Sequence, residues 1–131
     1  MSLNYYVLLV FAPLLIVVGI SGFVIPEKKS LTSGAPAYNI FHIVFGLIGL
    51  ACLFLGPTIS ASKVPLPFDF LLLPSGFPRA FNVGFGLIDL YQAAASYLHI
   101  FPERHFRWKR TDDILHVAIG TALVIVGVFG S

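Results

Sequence analysis

The amino-acid sequence predicts an all-α fold, a four-helix transmembrane bundle built from two tandem two-helix repeats. Three observations carry that prediction. The chain of 131 residues is 57% hydrophobic and only 11% charged, with a mean hydropathy of +0.91, whereas soluble domains carry about 25% charged residues. Its apolar residues gather in four runs of bilayer length. A pattern near the start, YNIFHIVFG at Tyr38–Gly46, returns seventy-four residues later as DDILHVAIG at Asp112–Gly120.

A helix needs roughly 20 apolar residues to cross a hydrocarbon core about 30 Å thick. The expected spans are 5–25, 36–56, 80–101 and 113–130, within one membrane domain covering 1–131. The first carries no charge and reads as a span rather than a signal peptide, with Pro13 giving a kink. The second carries no Asp, Glu, Lys or Arg and one histidine, His42; the third carries Asp89, Gln92 and His99, and the last carries His116. Backbone polar groups in lipid must be satisfied internally, so a closed helical bundle is the economical arrangement.

Basic residues orient the bundle. Lys28, Lys29, Arg104, Arg107, Lys109 and Arg110 lie in loops 26–35 and 102–112, whereas only Lys63 and Arg79 lie between spans two and three. By the positive-inside rule both short loops are cytoplasmic and both termini lie outside, in a bacterial cytoplasmic or thylakoid membrane. The outer connection 57–79 contains Pro57, Pro65, Pro67, Pro74 and Pro78, so it is not helical throughout. Its apolar stretch PFDFLLLPSGF is expected to lie at the interface or meet another membrane subunit.

The repeat extends past the histidines. GFVIPEKK at Gly22–Lys29 matches LHIFPERH at Leu98–His105, each closing a span with Pro-Glu and a basic residue. Two units of two spans each share one orientation, related by an axis along the membrane normal. A first helix ending in GFVIP, a second reading NIFHIVFGLIG and a last opening with DDILHVAIG resemble a family of small four-pass bacterial membrane proteins known only as a domain of unknown function. The resemblance covers nearly the whole chain apart from 57–79. It implies a four-helix membrane fold and no activity, cofactor or site residue.

His42 and His116 admit two uses. As axial ligands they could hold haem b or a chlorophyll between them, with Gly46 and Gly120 one turn on giving a flat ring room. As structural groups they would hydrogen-bond across close helix contacts, Gly46 and Gly120 admitting the neighbour. Asn39 and Asp113 would then cap helix starts. The structural use, without a cofactor, is preferred. Asp89, near the middle of the third span, is the remaining intramembrane acid and the candidate for a proton or ion path. Helix rise sets it several ångströms from the level of the histidines, against direct pairing. Trp108 and His105 read as headgroup anchors.

No nucleophile–base pair, phosphate loop or metal-ligand cluster is present, so no enzyme activity and no metal are expected. A net charge of +2 gives no footprint for nucleic acid, and the single Cys52 allows no internal disulfide. The expected function is a non-catalytic integral membrane protein, an accessory or stabilising subunit of a larger membrane complex, respiratory or photosynthetic. The alternatives are a haem- or chlorophyll-binding protein using His42 and His116, and a small proton-coupled channel or transporter using Asp89.

Overall fold

The structure is a computed structural model that describes residues 2–56 and 76–130. Among these the chain is all-α, without strands. Helix α1 spans Leu3–Val24, α2 Pro36–Phe54, α3 Gly76–Leu98, α4 Glu103–Phe106 and α5 Arg110–Phe129, with a 3₁₀ turn at Glu27–Lys29. Ser2 caps α1, its hydroxyl accepting from the Tyr5 amide at 3.1 Å. The helix stops just before Pro26, which disfavours helical geometry in the residue preceding it. Pro36 opens α2 at a position where a missing N–H costs nothing.

The third helix begins four residues before the expected Ala80, so Gly76–Arg79 belong to α3 rather than to the connection. Pro78 is tolerated there because amides of the first turn have no intrahelical partner. The rest of the expected connection, 57–75, lies outside the described residues.

Three helices, α1, α2 and α5, are long and apolar enough to cross a membrane. Helix α3 is less apolar, and its burial pattern explains why: Asn82, Asp89 and Gln92 all face inward. Large apolar side chains point outward instead, among them Val24 at 75% exposure and Phe129 at 82%. This is the distribution a hydrocarbon solvent favours, since polar groups there gain most by meeting one another.

Helix α1 packs chiefly against α2, and α3 chiefly against α5. Both contacts are close at glycine. A Cβ at Gly46 would lie 2.9 Å from the Ala12 carbonyl oxygen, and one at Gly120 would lie 2.8 Å from that of Gly86. Between the two pairs the gap is filled by Leu8, Phe11, Leu15, Leu53, Phe81, Phe85 and Leu123. The Phe11 and Phe85 rings meet edge to face with centroids 5.6 Å apart.

Burial recurs at the spacing of the sequence repeat. Leu8, Phe11, Ala12 and Leu15 are buried in α1, as are Asn82, Phe85, Gly86 and Asp89 in α3. Tyr38, His42, Gly46, Gly49 and Leu53 are buried in α2, as are Asp112, His116, Gly120, Leu123 and Gly127 in α5.

Candidate functional site, a polar cavity between α1 and α5

At the end of the bundle that carries the basic loops, the helix starts place polar side chains inward. Tyr38 and His42 stand four residues apart on α2, and Asp112 and His116 four apart on α5, so each pair shares a helix face. Asp89 and Gln92, three apart, do the same on α3. All six are buried, His42 to 7% exposure, His116 to 5% and Asp89 to 3%.

Asp112 ties the two helix pairs together. Its Oδ2 accepts the backbone amides of Ser33 and Lys109, each at 2.8 Å. Its Oδ1 lies 3.2 Å from the Tyr38 hydroxyl, which is also 2.7 Å from His116 Nε2. Three donors around one carboxyl group, at the start of a helix, hold it in place. The loops are bonded as well. Lys109 Nζ donates to the carbonyls of Glu27 and Ser30, each at 2.8 Å, and the Ser33 hydroxyl donates to the Phe106 carbonyl at 2.5 Å. A second chain runs from Trp108, whose Nε1 donates to Gln92 Oε1 at 3.2 Å, while Gln92 Nε2 donates to Asp89 Oδ1 at 3.2 Å.

A cavity of about 220 Å³ lies between α1 and α5 beside these groups. Tyr38, His42, Asp89, Asp112 and His116 line it together with Ser21, Ser30 and Thr32; Phe11, Leu15, Val18, Phe85 and Ile119 form its apolar side. Leu14, Ile25 and Leu115 line it from exposed positions and form its outer rim. Toward the opposite end the bundle is closed by Leu8, Phe11, Phe81 and Leu123. Two buried ring nitrogens of this site, His42 Nδ1 and His116 Nδ1, have no hydrogen-bond partner among the described residues. Buried polar atoms are seldom left so.

The structure thus brings His42, His116 and Asp89 to one cavity, where helix rise alone set Asp89 apart. The acid lines the same space from across the bundle, and its bonded partner is Gln92, on its own helix. The expected helix caps are corrected. Asn39 lies inside α2 and donates its Nδ2 to the Gly34 carbonyl at 3.1 Å, whereas a cap must accept. On α5 the amide of Lys109 is taken by Asp112, one residue before the expected Asp113. Trp108 turns its indole N–H inward to Gln92 rather than to the interface.

The room that a macrocycle would need at Gly46 and Gly120 is occupied by the backbones of α1 and α3. The side chains at the two histidines therefore do not fit a ring held between them at those glycines. No cluster of three or more His, Cys, Asp or Glu side chains suited to a metal occurs among the described residues.

Tyr38, Gln92, Asp112 and Ser33 were not singled out in the sequence. Tyr38 and Asp112 each precede a histidine by one helical turn, and that shared spacing is the signal that would have found them. Comparison with protein-family models, curated proteins and solved structures found no match.

Proposed function

We propose that the protein is an integral membrane protein of four helical spans, two tandem two-helix units, that holds a small membrane-soluble molecule in the cavity between α1 and α5. It binds rather than transforms its ligand. The observation that carries this reading is the convergence of Tyr38, His42, Asp89, Asp112 and His116 on one cavity in which two imidazole nitrogens lack a partner among the described residues. Ionisable groups are costly in hydrocarbon, and where they gather around a space they mark a site.

The four-span, two-unit architecture is supported by the recurrence of burial at the repeat spacing and by the length of α3, which matches the three more apolar helices. Both basic loops lie at the cavity end, which the positive-inside rule assigns to the cytoplasm. A proton path through Asp89 draws no support from the packing, because the aromatic and aliphatic core closes the bundle beyond it. An accessory role in a larger complex keeps its basis in the apolar stretch of 57–79, most of which lies outside the described residues.

The test is what the protein carries. Mild solubilisation followed by native mass spectrometry should find a small molecule bound to the wild type. Val18→Phe, which fills the cavity from α1, should release it. A wild type that carries nothing and takes up no amphiphile defeats the reading.

A further inference from the structure

The hydrogen-bond network defines which side of the bond the ligand must supply, on the reading that the α1/α5 cavity binds a small molecule. Asp112 Oδ2 accepts two backbone amides and its Oδ1 accepts from Tyr38, so the single hydroxyl hydrogen of Tyr38 is committed there. The 2.7 Å contact between Tyr38 and His116 then requires Nε2–H of the imidazole to donate to the phenolic oxygen. A neutral imidazole carries one N–H, so His116 Nδ1 presents a lone pair. That nitrogen is buried and has no partner among the described residues.

Asp89 is set the same way. An indole N–H can only donate, so Trp108 fixes the Gln92 amide with its oxygen outward and its nitrogen on Asp89 Oδ1. The other Asp89 oxygen makes no hydrogen bond among the described residues, and Asp89 lines the cavity. Among the described residues the network therefore leaves one fixed, unpaired acceptor at the cavity, His116 Nδ1. The cavity walls include the rings of Phe11, Tyr38 and Phe85, and Leu14, Ile25 and Leu115 border it from exposed positions. A flat ring suits such walls. An uncharged donor suits them better than an ammonium, whose desolvation in an apolar cleft is costly.

We propose that the cavity binds membrane-soluble phenols. The ring lies among Phe11, Tyr38 and Phe85, the O–H donates to His116 Nδ1, and an alkyl chain leaves between α1 and α5 past Leu14 and Leu115.

The experiment is a competition assay on the full chain in lipid nanodiscs, with labelled para-nonylphenol displaced by unlabelled para-nonylphenol, its methyl ether, nonylbenzene or nonylamine. The phenol should bind saturably, and the ether, which cannot donate, about ten-fold or more weakly. Val18→Phe or Leu115→Trp, two plugs on different helices, should abolish binding. His116→Phe should bring phenol and ether to equal affinity. A wild type that binds the ether, the hydrocarbon or the amine as tightly as the phenol overturns the assignment. If no probe binds but a resident molecule co-purifies and is lost in Val18→Phe, the phenol assignment fails and the binding site stands. If neither is found, both fail.

Discussion

Tyr38 and Asp112 stand at the same register of the two helix pairs, and they meet: the Tyr38 hydroxyl lies 3.2 Å from Asp112 Oδ1 and 2.7 Å from His116 Nε2. One oxygen thus joins α2 to two side chains of α5. Tyr38→Phe removes it and leaves a buried carboxylate oxygen and an imidazole nitrogen unpaired. The expected cost is about 1–3 kcal/mol, read by reversible unfolding in mild detergent. A variant as stable as the wild type would show that these contacts contribute nothing net.

Asp112 and Asp113 are adjacent acids with different tasks. Asp112 takes the Lys109 and Ser33 amides, while Asp113 accepts neither. Asp112→Ala should destabilise the fold by about 1–3 kcal/mol, the cost of a lost cap and a lost tie between loops. Asp113→Ala should stay within about 0.5 kcal/mol of wild type. The reverse order in a denaturation series would return the cap to Asp113.

Glycine substitutions separate contact from propensity. At Gly120 a Cβ would lie 2.8 Å from the Gly86 carbonyl and 3.0 Å from Asp89 Cβ, neither of which can rotate away. At Gly84 it would meet nothing within 4 Å. Gly120→Ala should therefore cost about 1–3 kcal/mol through overpacking. Gly84→Ala should add about 0.5–1 kcal/mol through helix propensity. Equal effects of the two would mean that α3 and α5 are not in backbone contact there.

Haem offers a direct check on the histidines. Because α1 and α3 fill the space at Gly46 and Gly120, titration of the purified protein with haem should leave the Soret band of free haem unmoved. A shifted band that vanishes in both His42→Ala and His116→Ala would restore axial ligation.

Trp108 is the only tryptophan of the chain, and its N–H is bonded to Gln92. Gln92→Leu should shift its emission maximum, since the indole loses its acceptor. Arg104→Ala, outside that chain of bonds, should not. Identical spectra for Gln92→Leu and wild type would detach Trp108 from Gln92.

Much of the helical layout was legible beforehand because it depends on local quantities. Apolar runs of bilayer length, prolines at their ends and the repeat around His42 and His116 bounded α1, α2 and α5 to within a few residues. The start of α3 was misread at Pro78, since a proline in a first turn and one in a loop look alike in sequence. Asn39 and Asp113 were assigned as caps from residue type and position. The choice between Asp112 and Asp113 depends on which side chain reaches the Lys109 amide, and only the helix start decides that.

The site was half visible. His42, His116 and Asp89 stand out as costly residues in greasy helices, and chemistry alone marks them. Their sequence determined that polar groups must be hidden from lipid and on which helix faces. It did not determine which groups would share one space. Tyr38 bridging to α5, Trp108 turning in to Gln92 and Asp89 lining the histidines' cavity all depend on how the helices are spaced and how far side chains reach across the gap. Those distances are set by the close backbone contacts at Gly46 and Gly120 and by the aromatic wedge of Phe11 and Phe85, and they exist only once all four long helices are packed.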